Sequence, residues 1–237
     1  MFDYFILGYF LMKEASATGE LGALIKRQVF RDRLVTPVEM DLTVPLPGGG
    51  LPANSEFRIV GLELDDIQAG KWNFSIRSRR IRALRSIKRG IRGFALVQGN
   101  LIVGDIWCVI PRPGKPAEHP DLTMLGLTCK ENEAFALDML IDPSYRGKNL
   151  AVPLQRTIQQ TLKDEGFVKM YGAYYDDNLP SVWMHRVLKF KELPKRLTSR
   201  FIIFSSARPA SQAEIEARQK IIKRLRKLRP NSFVQKR

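Results

Sequence analysis

Cysteine is nearly missing from this 237-residue chain: only Cys108 and Cys129 occur. Two thiols at that spacing make neither a disulfide framework nor a zinc site, which takes about four ligands. Cys108 lies in an apolar run and reads as a buried, reduced thiol, and the scarcity points to a cytoplasmic setting. Histidine is equally scarce, with only His119 and His185, so no Ser-His or Cys-His nucleophile pairing is legible. No apolar run reaches the roughly 20 residues needed to cross a bilayer. The longest at the start, residues 2–12, is too short and lacks the basic opening and small-residue cleavage pattern of a secretory signal. It reads as a segment packed on the domain or as an interfacial anchor, which would make the protein peripheral at a membrane. Both the Gly-x-x-x-x-Gly-Lys-Ser/Thr phosphate loop and the Gly-x-Gly-x-x-Gly dinucleotide fingerprint are absent. Internal repeats are absent too.

Acids are in short supply against 39 Lys and Arg, giving a net charge of +15. The excess is local. Residues 71–92 hold nine basic side chains and no acid, and residues 214–237 hold nine against Glu214 and Glu216. Such segments suit a phosphate-rich partner, nucleic acid or an anionic membrane surface, or form a solvated helix face.

What the chain does have is a strand running into a basic loop. Residues 134–141 are apolar except for Asp138. Asp142-Pro143 makes a turn, Arg146-Gly147-Lys148-Asn149 follows, and a helix is expected from about Leu150 to Asp164. The first amides of a helix lack carbonyl partners and carry the positive end of its dipole, and glycine lets an anion approach closely. The loop therefore reads as a cradle for a phosphate-bearing ligand. Asn149 is the non-glycine type that best tolerates a left-handed backbone.

Arg146-Gly147-Lys148-Asn149-Leu150-Ala151 resembles the Arg/Gln-x-x-Gly-x-Gly/Ala signature of the GNAT acyltransferase superfamily, with Asn149 where glycine is usual. A second motif follows the next strand: Asn178, Ser181 and Phe190 fit the family's spacing, with His185 in the usual Tyr position and Lys189 in a usual Gly position. The resemblance covers residues 57–204. It implies an α/β fold, a GNAT-like mixed central sheet with helices on both faces, and acetyl-CoA as co-substrate. It implies that the amides of Arg146, Gly147, Lys148, Asn149, Leu150 and Ala151 hold the pyrophosphate. Met139, Leu140 and Ile141 would pair with the pantetheine arm, an amide near Leu140 would face the thioester oxygen, and Asn178 would touch the arm from the other side. An amine, its identity open and its chemistry anionic if the basic wall faces it, would attack directly.

Two side chains are candidates for proton transfer. Asp138, a lone carboxylate in an apolar strand, would be raised toward a useful pKa by desolvation and act as base or water organiser. It could equally be a structural partner for an arginine of the basic helix, and Glu133, Asp176 and Asp177 are rivals. His185 would protonate the leaving thiolate, with Tyr174 and Tyr175 as alternatives. No metal site is expected. The competing function is a GNAT-like module with little catalysis that binds nucleic acid or membrane through its basic helices.

The expected organisation is an N-terminal extension over 1–54, closed by a proline- and glycine-rich break at 45–52; an acyltransferase domain over 55–205; and a basic helix and tail over 206–237. Alternation of Val38, Met40, Leu42 and Val44 predicts a half-buried strand inside the extension. Ile81, Leu84, Ile87 and Ile91 predict one apolar stripe on a basic helix. Residues 94–97 and 101–110 form a hairpin about Gly99-Asn100, a long loop spans 111–133, and Ser211 to Glu214 is a capping box.

Overall fold

The computed structural model describes residues 30–46, 48–201 and 204–228. The expectations for residues 2–12 and for the tail beyond 228 fall outside the described residues. Strands are β1 (Phe30–Asp41), β2 (Phe57–Leu62), β3 (Asn73–Phe74), β4 (Arg92–Gln98), β5 (Leu101–Val109), β6 (Glu133–Ile141), β7 (Lys169–Tyr175), β8 (Lys191–Glu192), β9 (Arg196–Phe201) and β10 (Phe204–Pro209). Helices are α1 (Leu64–Gln68), α2 (Arg77–Lys88), α3 (Pro120–Leu125), α4 (Ala151–Asp164), α5 (Leu179–Val187) and α6 (Gln212–Leu228).

One mixed sheet runs β10-β9-β1-β7-β6-β5-β4-β2, with β3 beside β5 and β8 beside β1. The hairpin β4–β5 turns where Gly99 takes φ 59°. Helices cover both faces, as the resemblance implies. On one face α4 and α5 bury Leu154, Ile158, Leu162, Met184 and Leu188 against Val38, Leu96, Cys108 and Met170. On the other, α1 and α2 set Ile67 and Ala83 against Ala95, Val97 and Trp107. Beside them α3 sets Leu122 and Leu125 against Val109 and Phe135. The long 111–133 loop is thus not structureless: α3 forms inside it, its first turn capped by His119, whose Nδ1 accepts from the Asp121 amide at 3.2 Å.

Residues 30–46 are more than a lead-in. β1 pairs with β7 along Val35–Asp41 and with β9 along Phe30–Val35, so it lies inside the sheet. The alternation over Val38, Met40 and Leu42 is the signature of that position, and all three are buried. Val44, past the strand end, is 47% exposed. The proline- and glycine-rich segment after β1 is a strap that lies on α4. Lys163 Nζ donates to the carbonyl of Val44 at 2.6 Å, and Leu46 and Leu51 pack on the core.

Candidate functional site

The sheet splits at its centre. β6 and β7 are parallel and pair only over Glu133–Lys169, Ala134–Met170 and Phe135–Tyr171. Beyond Phe135, β6 stays bound to β5 and β7 stays bound to β1, so the two strands diverge toward their C-terminal ends. The β7-facing edge of residues 136–141 is left without a strand partner, and a strand edge without a neighbour has donors and acceptors to offer. Met139, Leu140 and Ile141 lie on this edge.

A bulge shapes it. Register slips between Asp105 and Trp107 on β5, opposite Leu140 and Leu137, and Asp138 adopts φ 51°. Extra residues in one strand bend it and re-aim its side chains. Gly104 makes room: a Cβ there would sit 2.6 Å from Ile141 Cδ1 and 3.1 Å from the Leu140 carbonyl.

The phosphate-cradle loop stands at the mouth of the split. Asp142 caps a single turn of 3-10 helix by accepting from the Ser144 amide at 2.8 Å, and the Ser75 hydroxyl donates to its other oxygen. Gly147 takes φ 84° and Asn149 φ 55°, so the left-handed turn expected at Asn149 is present. Leu150, 6% exposed, anchors the helix start in the core. The amides of residues 147–151 have no hydrogen-bond partner among the described residues. Arg146 Nε donates to the Ile141 carbonyl at 3.4 Å. Lys148 lies 3.8 Å from Glu56, a pair about half exposed on both sides, and 5.2 Å over the Tyr145 ring. Gly49 of the strap approaches Val152 in the next turn, not the amides themselves. Across the split, Asn178 stands at the start of α5 with its side chain exposed and making no cap hydrogen bond among the described residues. The segments named from sequence for cofactor binding flank this split, but the Arg146 amide, expected among the pyrophosphate donors, is already used: it donates to the Pro143 carbonyl at 3.3 Å and closes the 3-10 turn.

The proton-transfer candidates are arranged differently from expectation. Asp138 is not a buried lone carboxylate. The bulge swings it outward, and its Oδ2 accepts from Arg79 Nη1 at 2.9 Å and Arg82 Nη1 at 3.0 Å. Its Oδ1 takes no partner among the described residues. The buried acid is Asp105, 2% exposed, held by Arg79 and by Trp107 Nε1 at 3.0 Å. Burial pushes Asp105 above its ordinary carboxylate value, against the pull of Arg79. Sequence reasoning passed over Asp105 and Arg79. The signal was there in an acid inside the apolar run of β5, whereas Arg79 lies off the stripe of Ile81, Leu84 and Ile87 and is buried beside Ser78 and Ala83.

His185 is 8% exposed, between Tyr174 at 5.3 Å and Phe190 at 5.0 Å between ring centroids. Its Nδ1 lies 2.7 Å from the Ser181 carbonyl, an acceptor only, so the proton sits on Nδ1 and Nε2 is bare. Burial pushes its pKa below the usual imidazole value. A neutral ring with a bare Nε2 has no proton to give toward the cleft, so the geometry does not match the acid expected from the Tyr position. Tyr174 offers no substitute: its hydroxyl donates to Glu192 at 2.6 Å, and burial pushes it upward. Tyr175 lies under the Arg33 guanidinium at 3.6 Å. Glu133 sits at the far end of β6, accepting from the Lys130 amide. Asp176 is locked to Lys195 and Thr36, and Asp177 to Arg33. Lys189 takes φ 60°, the left-handed conformation for which glycine is usual there. Both cysteines are buried free thiols that burial pushes up to about 12. Among the described residues no cluster could hold a metal ion, and no helix is long and apolar enough to cross a membrane.

A mixed sheet opened between two parallel strands, with helices on both faces, is an α/β fold. The fold is that of the GNAT superfamily. Over 78% of this chain it resembles the GCN5-related glucosamine N-acetyltransferase region of a fungal multi-domain beta-N-acetylglucosaminidase, with TM-score 0.53, 12% identity and 23% of that chain covered. A Drosophila protein is similar over 79% of this chain and 57% of its own, with TM-score 0.50 and 11% identity. A GCN5-related N-acetyltransferase from Sphaerobacter thermophilus gives TM-score 0.46 and 13% identity over 81% of this chain and 58% of its own. The chain thus spans less than two thirds of the length of these relatives. No protein-family model and no curated protein sequence matches it.

Proposed function

We propose that this chain transfers an acyl group, acetyl in the simplest case, from CoA to a primary amine by direct attack. The observation that carries the reading is the continuity of two backbone surfaces: the edge of residues 136–141 that β7 leaves without a strand partner, and the unpartnered amides of 147–151 at its mouth. A pantetheine arm is an amide chain that pairs with a strand edge, and a pyrophosphate is an anion that fits a helix start. Acetyl-CoA would supply the activated thioester. Amides of Gly147 to Ala151 would hold the pyrophosphate, with Arg146 and Lys148 adding charge. Met139, Leu140 and Ile141 would align the arm, an amide near Leu140 would face the carbonyl oxygen as charge builds there, and Asn178 would steady the arm from α5. Asp138, through Oδ1, would order the water that takes the amine's proton. Both cysteines are buried thiols pushed up to about 12, which accords with attack by the amine itself.

The acceptor would approach from the face of α2 and α3. The exposed Arg77, Arg80, Lys88 and Arg89 of that side, with no acid on the helix, support an acceptor that carries phosphate or carboxylate. The same face supports a second reading, a polyanion-binding module with little catalysis. Calorimetry with acetyl-CoA, followed by an amine panel scored by release of free CoA thiol, tests the first reading. Binding with turnover on an anionic amine is expected. No heat with acetyl-CoA, together with steeply salt-dependent nucleic-acid binding, would replace it with the second.

A further inference from the structure

The last helix, α6, is held by its own first turns rather than by the core. It opens on the expected capping box: the Ser211 amide donates to Glu214 Oε2 at 2.9 Å, and the Glu214 amide donates to Ser211 Oγ at 3.4 Å. Arg208 of β10 donates to the same carboxylate from Nη1 at 2.9 Å, and Gln212 Nε2 donates to Glu216 at 2.9 Å. Both acids of the helix are thus engaged near its start, where the dipole favours them. Beyond them the charge has one sign: residues 217–229 hold seven Lys and Arg and no acid.

The apolar side of α6 lies outside the core. Ile221 is 48% exposed, Ile215 and Ile222 are half-buried, and none of the three joins a core cluster among the described residues. Arg218 stands 3.9 Å from Asp32 of β1, both side chains well exposed, and a loose pair in water holds little. By sequence spacing Ile215, Ile221, Ile222, Leu225 and Leu228 fall on one arc, and Lys220, Lys223, Arg224 and Lys227 fall on the opposite one. A helix of this length persists in water mainly by packing its apolar arc against something.

Two kinds of polyanion suit the cations, and the apolar arc chooses between them. Nucleic-acid phosphates accept from Lys and Arg but gain nothing from an exposed isoleucine beside them. An anionic bilayer takes both, because the acyl boundary receives the apolar arc while long cationic stems reach the headgroups from the polar side.

We infer that α6 is an interfacial helix, lying in the plane of an anionic bilayer with Ile221 at the acyl boundary and the Lys and Arg of residues 217–229 among the headgroups. Neither CoA nor an acceptor takes part, so the attachment is independent of what the cleft binds.

The test floats the full chain with phosphatidylcholine vesicles, with and without about 30% phosphatidylserine. Wild type rises with the anionic vesicles and not with the neutral ones, and added salt weakens the binding. Ile221→Ser binds the anionic vesicles about 3-fold or more weakly, while Ile221→Leu binds as wild type does. The double variant Lys223→Gln, Arg224→Gln binds about 10-fold or more weakly. Unfolding midpoints equal to that of wild type show that the variants keep the fold, as expected for an exposed position. The inference is overturned if wild type fails to float with anionic vesicles. It is overturned equally if Ile221→Ser or the double variant floats as wild type does, which would put the attachment elsewhere in the chain. Binding to short duplex DNA that Ile221→Ser leaves unchanged, without flotation of wild type, would assign the helix to nucleic acid instead.

Discussion

Arg79 grips Asp138 twice, donating from Nη1 to its carboxylate and from Nη2 to its main-chain carbonyl, both at 2.9 Å. The same guanidinium holds the buried Asp105 from the side. One side chain from α2 therefore ties together β5 and the bulge of β6, and the bulge sets which amides of residues 136–141 face the split.

Removing that side chain leaves Asp105 buried without its counter-charge. Arg79→Met should cost about 3–5 kcal/mol at neutral pH. Burial already holds the folded-state value of Asp105 above its unfolded one, so its contribution is full at low pH and fades as pH rises through the folded value. Without Arg79 the value climbs further, and the loss should be smaller at pH 5 than at pH 7.5. Urea unfolding at the two pH values measures this; an equal loss at both would deny Asp105 its role. The double variant Arg79→Met, Asp105→Leu should recover most of the stability.

The sequence made the architecture readable where local chemistry repeats. Residues 57–204 gave strand, helix, hairpin, strand, loop and helix in order, because periodicity and turn residues report local structure. The cradle was readable because a helix start, a glycine and an Asn in series have few other uses. Asp138 was misread as buried because a period-2 pattern cannot show a bulge, which reverses the face of every later side chain. β1 was assigned to an extension because its partners, β7 and β9, lie at the other end of the chain, and long-range pairing leaves no local mark. The tautomer of His185 depends on Ser181, a contact across one helical turn that composition does not reveal.

Two left-handed residues give opposite expectations. Lys189 sits just past α5, where the Phe190 amide bonds back to the His185 carbonyl at 2.9 Å, a helix-ending motif that favours glycine. Lys189→Gly should stabilise by about 1 kcal/mol, seen as a rise of about 2–4 °C in thermal unfolding. Asn149→Ala should destabilise the cradle by a similar amount and weaken acetyl-CoA binding about 5-fold or more; unchanged affinity in calorimetry would show that the turn does not shape the site.

His185 predicts an acid-side weakness. Its folded-state value is depressed by burial below 6.5, so stability is whole above that pH and falls as pH drops toward the folded value. His185→Phe should flatten the loss of urea midpoint between pH 7 and pH 5. It should also leave the maximal acyl-transfer rate within a few-fold of wild type, since the bare Nε2 donates nothing. A large fall in rate with CoA affinity intact would return His185 to the chemistry.

Asp138→Asn separates ordering of water from ion pairing. The amide keeps the shape of the bulge but cannot take a proton, so the maximal rate should fall about 100-fold, in the range of general base catalysis, with acetyl-CoA affinity unchanged. A rate within a few-fold would make Asp138 a counter-ion to Arg79 and Arg82 and nothing more. Because Arg79 also bonds the main-chain carbonyl, the bulge itself should survive, and unfolding midpoints check that.

The place of β1 between β7 and β9 governs how the molecule can be made. Thr36 on β1 closes onto Asp176, 140 residues along the chain, so the first of the described strands pairs with strands made more than a hundred residues later. Until β7 and β9 emerge, β1 has no partner on either edge, and such distant pairing folds slowly. Any truncation that removes residues 30–41 would strand β9 and β10 away from the rest, cutting the sheet in two beside the cleft.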